Sequence, residues 1–374
     1  MTATEEAASG HGLNTSPLLA DVLARPVVVC CGPGGVGKTT VAAALALEVA
    51  RGGRRACVVT VDPARRLADS LGVESLPNVP ATVAGEWSGS LHALMLDTKG
   101  TFDDLIERYA ASAEQAQTIR GNRIYQNLSG LLSGTQEYMA MEKLYELTES
   151  GDYDTVVVDT PPTRNALDLL DAPRRLTRFL ENRLFRALLL PTQAYMRAMG
   201  VATHALLRTI SRVAGAEIVD DAVGFFQAFS GMEEGFRLRA GAVRALLADP
   251  TTAYVVVTSP RPDAIEEATY FVTKLKESDV ETAALVVNRV HPFFGAPTGE
   301  VALAPEPSGA LADLVANLAQ LNAVARDDER AVADLVARVA PAPVGRVALL
   351  DSDVHDLGGL ALVADRLFDD QPVR

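Results

Sequence analysis

The segment Gly32-Pro33-Gly34-Gly35-Val36-Gly37-Lys38-Thr39 gathers four glycines, a lysine and a hydroxyl into eight residues. Its spacing is G-x-x-x-x-G-K-[ST], and both flanks suit it: the apolar run Val27–Cys31 comes before it and the helix-forming run Val41–Ala50 after it. Glycines let a loop wrap its backbone N–H groups around phosphate oxygens in conformations where a Cβ would clash. The helix that follows adds the positive end of its dipole. On this reading Gly32, Gly34, Gly35, Val36 and Gly37 form a phosphate cradle. Lys38 bridges the β- and γ-phosphates of a nucleotide, Thr39 ligates Mg2+ through its hydroxyl, and Thr40 reaches the α-phosphate.

Such a site needs two acids, one beside the attacking water and one for the metal. The apolar run Ala56–Val61 leads into Asp62, and Thr155–Val158 leads into Asp159. Acids at the carboxyl ends of parallel strands face the ligand crevice. Asp159 is the expected Mg2+ acid, acting through a coordinated water, and Asp62 is expected to orient the hydrolytic water. An aspartate after a strand is by itself more often a helix cap; the phosphate loop decides between the two readings here.

The elements that must carry these residues alternate. Strands are expected at Val27–Cys31, Ala56–Val61, Leu91–Leu96, Thr155–Val158, Ala253–Thr258, Ala283–Val287 and Val347–Leu350, with helical patterns between them. This predicts an α/β fold, a doubly wound and mostly parallel sheet covered by helices on both faces. Residues 1–25 form a polar lead, 26–166 and 250–374 the nucleotide domain, and 167–249 an inserted helical subdomain without a convincing strand. Within that insertion Phe225, Phe229, Met232 and Phe236, and separately Leu206, Ile210 and Val213, repeat at helical spacing. Each stripe suits either core or an exposed groove. Ala296–Ala310, rich in Pro, Gly, Ala and Glu, reads as a surface loop.

Composition narrows the partners. The 374 residues carry 34 Lys and Arg against 48 Asp and Glu, a net charge of −14, and no dense basic block, which argues against nucleic acid. Glu5 and Glu6 stand where an export signal needs positive charge, and charged residues interrupt every long apolar run, so a cytoplasmic chain without a membrane span is expected. Cys30, Cys31 and Cys57 are too few for a disulfide framework and read as buried thiols, with Cys57 on a strand beside that of the other two. The five histidines show no metal-ligand spacing.

Taken in order, Gly32 to Thr40, Asp62-Pro63-Ala64-Arg65-Arg66-Leu67-Ala68-Asp69-Ser70 and Asp159-Thr160-Pro161-Pro162-Thr163-Arg164 resemble the phosphate loop and two switch segments of the ArsA-type ATPases. That family includes arsenical pump-driving ATPases and guided-entry ATPases for tail-anchored proteins. Val286-Val287-Asn288-Arg289 is similar to its adenine-reading strand end, and Ala348-Leu349-Leu350-Asp351 to its late adenine loop. The resemblance implies ATP and Mg2+ as ligands, with Asn288 and Leu350 at the base. It further implies a nucleotide-gated dimer whose hydrolysis moves the helical subdomain, and an apolar client helix as partner.

One departure matters. The family places a signature lysine at the second loop position, and this chain has Pro33, which offers no charge and no donor. A heterodimer with a related subunit that carries the lysine is the expectation, and a catalytically weak regulatory subunit is the alternative. The metal-binding and metalloid-binding cysteines of some family members have no counterpart here. A phosphate-transferring ligase or kinase is a more distant reading, which phosphate release without an acceptor would separate.

Overall fold

The computed structural model describes residues 21–62, 64–123, 125–126, 135–160, 174, 221, 224–225, 227–295 and 309–368. Pro161–Arg164, most of the expected insertion including Leu206, Ile210 and Val213, and nearly all of the loop Ala296–Ala310 lie outside the described residues.

Eight strands build one sheet: β1 Val27–Cys31, β2 Arg55–Thr60, β3 Ala81–Thr82, β4 Ser90–Met95, β5 Thr155–Asp159, β6 Thr252–Thr258, β7 Thr282–Val290 and β8 Val344–Ala348. Their order is β3-β4-β2-β5-β1-β6-β7-β8, parallel throughout except for β3, which runs antiparallel along β4. Every residue of β1, β5 and β6 is buried, as expected for parallel strands covered on both faces. Successive residues of β1 alternate between two cores: Val27, Val29 and Cys31 face one, Val28 and Cys30 the other.

Helices cover both faces. Helix α1, Lys38–Arg51, is an alanine-rich run buried along most of its length in the second core. The short helix α2 spans Arg66–Ser70. The first core is roofed by α3 Thr98–Tyr109, α4 Ala113–Gly121, α5 Thr135–Ser150, α6 Glu233–Ala248, α7 Pro262–Glu277 and α8 Ala310–Val339. Helix α9, Leu357–Phe368, returns to pack beside α1.

Three expectations shift, and one strand was not expected. The last strand begins at Val344, not Val347, and ends at Ala348: pairing with β7 starts at Leu285↔Val344, and Gly345 and Arg346 interrupt the apolar run that suggested the later start. Strand β3, two residues on the sheet edge, has too short a pattern to show in the sequence. Cys57 is not on a neighbour of β1, because β5 lies between β1 and β2. The lead's boundary shifts: Val22 and Leu23 are buried in the second core, and the Leu23 carbonyl accepts from Thr155 Oγ1 at 3.2 Å.

The Phe225 stripe is core. Phe225, Phe229, Met232 and Phe236 are all at most 5% exposed and pack with Phe102, Tyr109 and Tyr125 in the first core. The Phe236 ring centroid lies 5.1 Å from that of Phe229 and 5.2 Å from that of Tyr109. The end of the expected insertion is thereby continuous with the sheet's own core. Phe236→Ala is expected to cost about 3–5 kcal/mol, read as a lower denaturant midpoint with an unchanged slope.

Candidate functional site

The chain leaves β1 at Cys31 and turns at Gly32, whose φ is 143°. A Cβ there would sit 2.1 Å from the Val257 carbonyl oxygen of β6, so only glycine passes. Gly37 caps α1 at φ 90°, and a Cβ would meet the Asn288 amide at 2.3 Å. Gly35, at φ 74°, faces open space. The side chain of Val36 is buried in the second core, which anchors the loop and leaves its backbone to face a ligand.

Lys38 and Thr39 follow in the first turn of α1, both buried. Lys38 Nζ donates to the Pro33 carbonyl at 2.8 Å, so the ammonium closes the loop upon itself. Burial lowers its pKa, and the charge of Asp159 opposes that shift.

Asp159, the last residue of β5, stands level with Cys30 of β1 and Thr60 of β2. Its Oδ2 accepts from Thr39 Oγ1 at 2.7 Å and from Thr60 Oγ1 at 2.8 Å. Its Oδ1 is buried without a hydrogen-bond partner. Burial pushes this carboxyl up to about 6, with Asp62 adding to the shift while the two hydroxyls and Lys38 restrain it. A buried carboxylate oxygen with free lone pairs beside a hydroxyl is a hard-oxygen donor set, and it fits Mg2+.

Asp62, just beyond β2, accepts the Ala64 N–H at 3.0 Å and lies 3.6 Å from Arg66 Nη1. Its own N–H donates to Thr60 Oγ1 at 3.2 Å. It does not cap α2, whose N-cap is Arg65. Asn288 is 8% exposed, and its Nδ2 donates to the Val36 carbonyl at 2.8 Å while its Oδ1 accepts the Arg289 N–H at 2.9 Å. One N–H and one lone pair of the amide remain for a base edge.

Gly35, Gly37, Lys38, Thr39, Thr40, Asp62, Asn288 and Leu350 line one cavity of about 530 Å³, a size that suits a small-molecule ligand. Gly32, Gly34 and Val36 belong to the loop beside it, and Asp159 lies beneath Thr39. Sequence reasoning missed Thr60, which joins both acids; only the pairing of β2 with β5 reveals it. The cysteines take no part: all three are free and buried, and burial pushes Cys31 and Cys57 up to about 12. Among the described residues no group of three or more His, Cys, Asp or Glu is placed to hold a metal.

A parallel sheet whose first strand turns through a glycine-rich loop into a helix, with an aspartate under the loop hydroxyl, defines a P-loop nucleotide-binding protein. The model of the anion-transporting ATPase family matches residues 25–294, and the chain belongs to that family. It is 31% identical over 262 residues to an uncharacterized protein of Streptomyces coelicolor, covering 70% of this chain and 61% of that one. It is 27% identical to ATPase ARSA2 of Chlamydomonas reinhardtii, covering 69% and 66%. To ATPase GET3 of Phaeosphaeria nodorum it is 24% identical, covering 69% and 74%. The matched region thus spans less than two thirds of the length of the first two relatives.

Because the folded-state value of Asp159 lies above its ordinary 3.8, ionising it costs stability as pH rises from about 4 to about 6. In EDTA, Asp159→Asn is expected to remove this component of the pH dependence and to raise stability at pH 7 by on the order of 2–3 kcal/mol. The same variant is expected to lose the stabilisation that Mg2+ and nucleotide give. Urea titrations across pH, with and without ligand, check both outcomes.

Proposed function

We propose that the chain is a Mg2+-dependent ATP hydrolase that works as a dimer. The observation that carries the reading is the 2.7 Å contact of Thr39 with Asp159 beneath the glycine-rich loop. Thr39, and Asp159 through a water, would hold Mg2+, which would supply charge neutralisation on the phosphate oxygens. Lys38 exchanges the Pro33 carbonyl for a phosphate oxygen, and the loop amides hold the remaining negative charge. Asp62 orients water for attack on the γ-phosphorus, and the hydrogen bond its Oδ1 already accepts from the Ala64 N–H fixes its rotamer. Asn288 and Leu350, which line the cavity, are the residues assigned to the base.

The finer reading concerns partners. Pro33 is buried and neutral, so this chain lacks the cation that a family dimer passes across the interface. A related subunit carrying that lysine would complete the site, and its absence would leave a chain that binds ATP and turns over slowly. That second reading, a regulatory subunit, is favoured by the same proline. Nucleotide-driven movement of residues 167–249, and capture of an apolar client helix there, rest on the family resemblance and on Leu206, Ile210 and Val213, since the Phe225 stripe is consumed by the core. A cytoplasmic setting fits three free thiols. Among the described residues no helix is long and apolar enough to cross a membrane.

Lys38→Ala is expected to lower phosphate release by at least about 100-fold. Pro33→Lys is expected to raise turnover of the purified homodimer about tenfold or more, measured beside its mass in ATP and ADP. A wild-type homodimer already as fast as Pro33→Lys would sink the heterodimer reading.

A further inference from the structure

Two residues other than glycine hold a left-handed backbone among the described residues, Asp279 at φ 58° and Arg289 at φ 61°. Asp279 follows the C-cap of α7, where left-handed residues end helices. Arg289 ends no helix. It sits where the pairing of β7 with β8 shifts register between Asn288 and Val290, and such irregularities re-aim a side chain. A strained residue of this kind persists where its surroundings hold it, and it marks ligand clamps more often than ordinary strand ends.

What holds it is the phosphate loop. Arg289 Nη1 donates to the Gly35 carbonyl at 3.0 Å, and Asn288 Nδ2 donates to the next carbonyl, that of Val36, at 2.8 Å. The backbone N–H of Arg289 donates to Asn288 Oδ1 at 2.9 Å, which ties the Asn288 side chain to the left-handed residue's own backbone. In a trans peptide the carbonyl and the N–H point in opposite directions. The Gly35 and Val36 carbonyls share their peptide units with the N–H groups of Val36 and Gly37. Tying both carbonyls to β7 leaves both N–H groups on the other side of the loop, the orientation a phosphate cradle requires. A guanidinium on a peptide carbonyl also polarises the N–H of the same unit, which strengthens it as a donor. Arg289 lines the same cavity as Lys38 and has no ion pair among the described residues.

We propose that Arg289 is a positioning residue: with Asn288 it clamps the loop from outside and sets two phosphate-binding amides before any ligand arrives. The proposal rests on the nucleotide reading above and goes further in assigning part of the loop's preorganisation to a residue far along the chain. It acts on phosphate, not on the base.

The test uses the full chain and two measurements. Calorimetric titration with inorganic pyrophosphate, ADP and GDP is expected to show Arg289→Ala and Arg289→Gly weakening all three by the same factor, about tenfold. Arg289→Lys, which keeps a cation for the Gly35 carbonyl, is expected to stay within about threefold of wild type. Arg289→Gly is expected to melt above Arg289→Ala, because glycine accepts the left-handed backbone, yet to bind no better. Amide hydrogen exchange in the ligand-free protein is expected to quicken at Val36 and Gly37 in the Ala and Gly variants and not in the Lys variant. Affinities within twofold of wild type with unchanged exchange would overturn the clamp. A loss confined to ADP would overturn it too, by making Arg289 a base contact. Quickened exchange in a chain that binds none of the three ligands would support the clamp while sinking the nucleotide reading.

Discussion

A handful of polar groups is sunk into the carboxyl edge of a sheet whose central strands are mostly apolar, and the site depends on how they satisfy one another. Asp159 sits in the middle. It is buried, it ends a strand of valines, and it is kept by hydroxyls on its two sides, Thr39 from α1 and Thr60 from β2. A carboxylate taken out of water without such partners would be strongly disfavoured. Its second oxygen makes no bond within the fold, which leaves it the natural anchor for a divalent cation.

The loop above it is closed by contacts of two kinds. Inside, Lys38 turns back to the Pro33 carbonyl. Outside, Asn288 and Arg289, at the carboxyl end of β7, reach the Val36 and Gly35 carbonyls. Between these ties the backbone has little freedom, and Gly32 and Gly37 occupy points where a single added carbon would collide with Val257 or Asn288. Preorganisation of this sort matters because phosphate binding draws its strength from donors already in place. Helix α1 serves two ends: its N-terminus offers the amides, and its alanine-rich body fits tightly into the second core, fixing where that terminus points.

Much of the site was legible because its residues are neighbours in sequence. The spacing of Gly32 to Thr39 fixes its chemistry locally, and Asp62 and Asp159 announce themselves by following apolar runs. The position of Pro33 in a motif that calls for a cation was equally visible. By contrast, the strand at Val344 was misplaced by three residues because Gly345 and Arg346 hide an edge strand that is defined by pairing with β7. The aromatic stripe from Phe225 to Phe236 was ambiguous for a related reason. Helical spacing shows that one face is apolar, and only the neighbours Phe102, Tyr109 and Tyr125 show that this face is core.

The sequence by itself determined the class of fold and the phosphate chemistry, since both follow from periodicity and from spacings within a few residues. Tertiary structure decided which distant residues complete the site. It inserted β5 between β2 and β1, which gave Asp159 the Thr60 hydroxyl. It also brought Asn288 to Val36 across 252 residues of chain and aimed Arg289 at Gly35 through a register shift. The physical reason is that such contacts are set by strand order and register. These arise from burial of whole faces of the sheet and leave no mark in the local pattern of any one strand.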